Sequence, residues 1–203
     1  MNYKLLHNRC LLEFVDKSDI AETESGVTLY QAGQWDILKH TNQDAIVRKI
    51  PAKLTGHLKD FEVEIEEGDR VFVHHFICQP DNHFDYEGKD YAEMKYQHIY
   101  CKKELGGEIE MVQDYIFLER AYFSEETCKT PSGLWLQSEP DEMKGCAWVR
   151  HTNKHSEGFE VGDLVCYKKL SDYSMSIDGV KYLRMKNEDI TGVLDPELIH
   201  VGA

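Results

Sequence analysis

The chain has 203 residues, 41% of them hydrophobic and 11% aromatic, with a formal net charge of −14 at pH 7. That length suits one large domain or two small ones, and the aromatic share argues for packed cores. The acidity, spread over both halves, excludes the basic footprint that nucleic acid or an anionic membrane surface selects; no apolar run nears the roughly 20 residues of a membrane helix.

The opening MNYKLLHNRCLLEF (1–14) carries one early Lys but no long apolar stretch, no small-residue cleavage site and no Ser/Arg-rich bias. It reads as a strand that starts almost at Met1, not as a signal or transit peptide. Cys10, Cys78, Cys101, Cys128, Cys146 and Cys166 are scattered with no C-x-x-C pair. In an acidic chain of this kind they predict reduced thiols and a cytoplasmic location.

CLLEF, AIVRKI, VEI, RVFVHHF and QHIYC follow as short runs rich in β-branched and aromatic residues, punctuated by Gly, Asp and Asn. Such runs predict strands. FEVEIEEGD (61–69) alternates apolar and acidic residues, the pattern of a half-exposed strand. Its Gly68-Asp69 predicts a tight turn, not an acid catalyst. YEGKDYAEM (86–94) predicts a hairpin with Glu87-Gly88 at the tip, where primed turns favour such residues. No segment shows a sustained 3.6-residue period.

CKKELGGEIE (101–110) interrupts this pattern at Gly106-Gly107, and the chain then says the same thing again. NRCLLE (8–13) matches DYIFLE (114–119), ESGVTLYQ (24–31) matches PSGLWLQS (131–138), and DAIVRK (44–49) matches CAWVRH (146–151). EEGDRVFVHH (66–75) matches EVGDLVCYKK (160–169), and YEGKDYAEMKYQHIY (86–100) matches IDGVKYLRMKNEDIT (177–191). Matches in one order, with a spacing that shrinks in steps, indicate a duplication whose second copy has shorter loops. The expected fold is all-β: two tandem domains, 1–105 and 106–203, each a small barrel or sandwich.

KTPSGLWLQSEP (129–140) sets Leu134-Trp135-Leu136 inside a Ser, Gly, Pro, Thr and Glu context. It fits either a short core strand or an apolar bait on a polar tether, buried only against a partner. The ordered motifs decide between these. KTPSGLWL (129–136), VGDLVCY (161–167) and DGVKYLRMKNEDITGV (178–193), with the looser ESGVTL (24–29), EGDRVFV (67–73) and EGKDYAEM (87–94), resemble the chaperonin-10 family, the GroES-like co-chaperonins. The resemblance covers nearly the whole chain twice and is similar to the double-domain co-chaperonins of plastids.

The resemblance implies two GroES-like β-barrel domains, a homo-oligomeric dome-shaped ring, and a GroEL-type chaperonin partner capped while an encapsulated substrate protein folds. It implies no enzymatic activity and no cofactor of the chain's own, ATP being bound by the chaperonin. It also implies mobile chaperonin-binding loops, carried over by position to Ser25, Gly26, Val27, Thr28 and Leu29 and to Ser132, Gly133, Leu134, Trp135 and Leu136. Family rings are sevenfold, which two-domain chains cannot fill with a whole number of molecules. The alternative is a GroES-like structural or assembly protein, possibly virus-encoded, that has lost or altered docking; the Val-Thr-Leu tripeptide and the looser first copy favour it.

The excursions Pro51–Lys59 and, shorter, Thr152–Gly158 correspond to the family's roof hairpin or else to solvated surface loops. His75-x-x-Cys78 and His98-x-x-Cys101, with His74 and His83 nearby, have metal-ligand types. Residues three apart on a strand point to opposite faces, however, and the second copy has no equivalent, so no metal site is expected. No phosphate-binding, dinucleotide, nucleophile-elbow or zincin motif occurs. GroES-like folds also open zinc alcohol dehydrogenases, but no nucleotide-binding domain follows here.

Overall fold

The structure is a computed structural model that describes residues 5–14, 21–22, 28–29, 43–74, 83–123, 127–129, 135–137, 141–171 and 173–195. The chain divides into two compact units, 1–113 and 114–203. Among the described residues all regular structure in both is antiparallel β, apart from short 3-10 turns.

The first unit contains β1 (Arg9–Phe14), β2 (Ala21–Glu22), β3 (Thr28–Leu29), β4 (Asp44–Lys49), β5 (Arg70–Val73), β6 (His83–Tyr86), β7 (Lys89–Lys95), β8 (Ile99–Lys103) and β9 (Ile109–Met111). Seven of these form one sheet in the order β6-β7-β1-β4-β5-β8-β9. The second unit contains β10 (Tyr115–Tyr122), β11 (Thr127–Lys129), β12 (Trp135–Gln137), β13 (Glu142–His151), β14 (Leu164–Tyr167), β15 (Tyr173–Ile177), β16 (Val180–Lys186) and β17 (Ile190–Leu194). Its six-stranded sheet runs β15-β16-β10-β13-β14-β17. Strand for strand this is the order of the first sheet, with β9 left over.

The two units agree at finer grain. The β1–β4 ladder slips between Leu11 and Leu12, and the β10–β13 ladder slips between the matching Phe117 and Leu118. A second slip lies at Phe72/Val73 in one unit and at Cys166/Tyr167 in the other. Bulges bend a strand and strengthen its twist, so equal bulges give equal curvature. Both Gly-Asp turns are built identically: Asp69 accepts from Glu66 N at 2.8 Å, Asp163 from Glu160 N at 2.8 Å. Gly68 and Gly162 have φ of +103° and +100°, and a Cβ on either would meet nothing within 4 Å. Backbone conformation, not space, therefore demands glycine there. Both hairpin tips also have positive φ at two successive residues, Glu87-Gly88 and Asp178-Gly179, as a type I′ turn requires.

The cores use matched positions. Leu12, Val47, Val71, Ala92, Met94 and Ile99 pack in the first; Leu118, Val149, Val165, Leu183, Met185 and half-buried Ile190 take the same places in the second. On the solvent face a cross-strand ion pair recurs, Arg48 to Glu13 at 2.6 Å and Arg150 to Glu119 at 2.5 Å. Lys89 adds a second cation to Glu13 at 2.8 Å.

The units part at Gln113/Asp114, beyond the glycine-marked seam at 105/106, and the reason is packing. After the turn at Gly106-Gly107, β9 pairs with β8 in the register Cys101↔Met111, Lys102↔Glu110, Lys103↔Ile109. Val112, fully buried, joins the first core and donates from its backbone to Tyr100 O at 2.9 Å. Gln113, 2% exposed, donates from Nε2 to Tyr96 O at 2.9 Å, and its backbone N–H reaches Glu64 Oε2 at 2.5 Å.

Two outcomes follow from these contacts. Gln113→Ala removes the buried amide bond to Tyr96 O, which keeps its bond from the Ile99 N–H, and should cost about 0.5–1.5 kcal/mol in chemical denaturation, the net range for one intramolecular hydrogen bond; a change near zero would show that water replaces the amide. The Glu13 carboxyl is held below the ordinary carboxylate range, chiefly by the hydrogen bond from Arg48, against burial. Its stabilisation is complete above the unfolded carboxylate pKa and is lost as pH falls through the lowered folded value. The stability gap between wild type and Glu13→Gln should accordingly close on acidification from about pH 5 downward, read by urea unfolding at stepped pH.

Candidate functional site

Each unit carries one long excursion at the same place in its topology. The first leaves β1 and returns on β4, strands hydrogen-bonded as neighbours with Phe14 opposite Ala45. The second leaves β10 and returns on β13, with Tyr122 opposite Glu142. The bases are fastened. Phe14 stacks on His83 with ring centroids 4.9 Å apart, and Val73 N donates to Gln43 O at 2.9 Å. In the second unit Phe123 N donates to Asp141 O at 2.9 Å, and Arg120 pairs with Glu142.

Within each excursion lies a two-stranded ribbon, β2 with β3 and β11 with β12. Ala21 faces Leu29 and Glu22 faces Thr28; Cys128 faces Leu136 and Lys129 faces Trp135. Laid over one another by the SGVTL/SGLWL match, the two registers are the same. Neither ribbon belongs to the larger sheet of its unit. A two-stranded hairpin alone is at best marginally stable in water, so a ribbon of this kind gains most from a surface offered by something else.

Four of the ten candidate docking residues, Thr28, Leu29, Trp135 and Leu136, are on the second strands of these ribbons. The structure thus brings Thr28 and Leu29, and Trp135 and Leu136, to equivalent backbone positions. Ser25, Gly26, Val27, Ser132, Gly133 and Leu134 lie outside the described residues. Sequence reasoning did not single out the partner strands Ala21–Glu22 and Thr127–Lys129. Ala-Glu and Cys-Lys share no residue type, so only the backbone pairing reveals that the positions correspond.

The roof-type excursions are drawn onto their own units. Leu54 and Leu58 are buried in the first core. Asn8 clamps Thr55 from both sides, donating from Nδ2 to Thr55 O at 2.8 Å and accepting from Thr55 N at 2.8 Å. In the second unit Asn153 donates from Nδ2 to Tyr115 O at 2.7 Å, and Ser156 Oγ donates to Asn187 Oδ1 at 2.9 Å. The first excursion is therefore a core plug in part, not simply a solvated loop.

The described titratable groups show burial more than activation. Burial pushes the Cys10 thiol up to about 12 and also raises Cys101 and Tyr96. Thiols so shifted are poor nucleophiles. Gly68-Asp69 and Gly162-Asp163 are engaged in their turns as described above. His98 and Cys101 are described, whereas His75 and Cys78 lie outside the described residues; among the described residues no three His, Cys, Asp or Glu side chains group as metal ligands. No described helix is long and apolar enough to cross a membrane.

Residues 108–194, which span β9 and the whole of the second unit's six-stranded sheet, match the family model described as the chaperonin 10 kDa subunit. A co-chaperonin GroES of Thermodesulfovibrio yellowstonii is 30% identical over 74 residues, which cover 36% of this chain and 84% of that protein.

Proposed function

This chain belongs to the chaperonin-10 family, and we propose that it is a two-copy co-chaperonin whose excursions dock on a GroEL-type chaperonin and cap it while a substrate protein folds inside. The observation that carries this is the pair of ribbons, set in the same register on both units and outside the main sheets. The docking tripeptides are Val27-Thr28-Leu29 and Leu134-Trp135-Leu136, each introduced by Ser-Gly. The chain catalyses no reaction itself, and ATP belongs to the chaperonin.

Burying a Leu, Val or Trp side chain contributes roughly 1.5–3 kcal/mol. Ordering the polar chain around it costs on the order of 1–2 kcal/mol per residue. One loop alone therefore binds weakly, as segments that order on binding do. Several loops on one rigid assembly make each later docking intramolecular, so a lid seats firmly and still detaches.

The assembly is a homo-oligomeric ring, and the sheet edges support a way to build it. β9, at 109–111, covers the edge of β8. By the NRCLLE/DYIFLE match its first-copy counterpart is 3–5, of which only Leu5 is described. No described strand flanks the outer edge of β17, and Val193 there is 47% exposed. Residues 3–5 of the next chain would fit that edge as β9 fits β8. Such a head-to-tail contact is heterologous and closes into a ring when its rotation permits. Three or four chains supply six or eight units against a sevenfold partner.

The second reading, a chain with altered docking, is favoured by one finding: the family model matches only the second copy. Mutation separates the two. Leu-Trp-Leu is the larger apolar payload, so Trp135→Ala should weaken capping more than Thr28→Ala, by about tenfold or more per docked loop, in a chaperonin-dependent refolding assay. Equal losses overturn the ranking, and no loss in either variant favours the altered-docking reading. Native mass spectrometry, alone and with chaperonin and nucleotide, should show three- or four-chain assemblies and their complex; a monomer that ignores the chaperonin overturns the proposal.

A further inference from the structure

One matched position is filled in opposite ways by the two units. In the first, Asp44 on β4 is the cross-strand partner of Phe72 on β5. Asp44 is 2% exposed and receives Arg70 from β5, Nη2 to Oδ2 at 2.6 Å with Nε 3.0 Å from both oxygens. The Arg70 guanidinium also lies over the Phe72 ring, 4.9 Å from its centroid. In the second unit the DAIVRK/CAWVRH and EGDRVF/VGDLVC matches replace Asp44 by Cys146, Phe72 by Cys166 and Arg70 by Leu164. The ion pair has gone, and two thiols face each other in its place.

Cys146 and Cys166 are direct partners in the β13–β14 ladder, with Sγ atoms 3.6 Å apart. Both are free and half-buried, so small reagents reach them, unlike the buried Cys10 and Cys101. Directly opposed antiparallel residues have Cα separations of about 4.5–5.5 Å, inside the span a disulfide bridges. Going from 3.6 Å to a bond of about 2.05 Å requires movement of the two side chains and little else. Cys146 leans on the apolar cluster of Ala121, Met143 and Leu164. Burial and the hydrogen bond with Cys166 push its thiol up to about 11. Cys146 therefore rests as a protonated thiol, and joining it to Cys166 needs an oxidant.

We propose that Cys146 and Cys166 are a reversible oxidation site, closing a cross-strand disulfide when the protein meets a disulfide oxidant such as oxidised glutathione. The thiolate of one cysteine attacks a glutathione sulfur, forming a mixed disulfide and releasing one glutathione. The thiolate of the other attacks the protein sulfur of that adduct, forming the Cys146–Cys166 bond and releasing the second glutathione. Two protein thiols are oxidised, one glutathione disulfide is reduced to two thiols, and the two protons pass to the released glutathiones. The bond staples β13 to β14, and β13 is the strand on which the second excursion returns. The first unit, with its ion pair at this place, has no such staple.

The test uses the full chain with Cys78 and Cys128 changed to Ser, incubated with oxidised glutathione, blocked with N-ethylmaleimide and mapped by non-reducing peptide mass spectrometry. The expected result is a linked 146–166 peptide pair, a protein lighter by two hydrogens, and reversal by dithiothreitol. Cys146→Ser in the same background should stop at a glutathione adduct on Cys166. The oxidised parent should also unfold at higher urea than the reduced parent. Alkylation of both cysteines after oxidation, a stable adduct on the parent, or linkage to Cys10 or Cys101 overturns the proposal.

Discussion

In each unit, a long excursion is tied off by the pairing of two central strands. β1 with β4, and β10 with β13, sit in the middle of their sheets and place fully buried side chains, Leu12 and Val47 or Leu118 and Val149, on the core face. Closing a flexible loop costs entropy that grows only logarithmically with length, about 0.6 kcal/mol per doubling. The buried ladder outweighs that cost with ease. This is why the first excursion, 15–43, can be longer than the second, 123–141, while the Leu11/Leu12 and Phe117/Leu118 bulges beneath them match, the second ladder adding a further slip at Arg120/Tyr122. A buried base beneath a separate two-stranded ribbon is what the proposed docking requires.

Above that shared base the units diverge by substitution at fixed positions. Arg48–Glu13 and Arg150–Glu119 are the same pair, yet among the described residues Lys89 gives Glu13 a second cation where the matching position of the second copy is Val180. Asp44–Arg70 gives way to opposed cysteines. Buried Tyr100 of β8 becomes exposed Thr191 of β17, in keeping with an edge that β9 covers in one unit and no described strand covers in the other. Backbone register has been kept while the chemistry on it drifted, which is what hydrogen-bonded ladders permit and side-chain packing alone does not.

Much of this could be read from residues in order. The spaced repeats expose the duplication; Gly68-Asp69 and Glu87-Gly88 announce turns whose positive φ few other residues accept. Matched apolar positions such as Met94 and Met185 mark both cores. What stayed hidden depends on pairings between distant segments. Nothing in Ile109–Met111 says that it completes the first sheet, and nothing in Leu54 or Leu58 distinguishes a core plug from an exposed turn. The ribbons and the opposed thiols are invisible for the same reason: each needs two registers known at once, and local composition supplies neither. Six of the ten candidate docking residues lie outside the described residues, and the other four are known by their backbone pairing in the ribbons.

The forward reach of the chain at the seam has a developmental consequence. Tyr100 and Cys101 are sheltered only when Met111 and Val112 have arrived, and Gln113 must seat its amide against Tyr96. On a ribosome the leading unit therefore stays unfinished until the linker has cleared the exit tunnel. A gene split at the glycine pair would release a half-molecule with an open flank, whereas a split after Gln113 would leave the first unit its own closing strand.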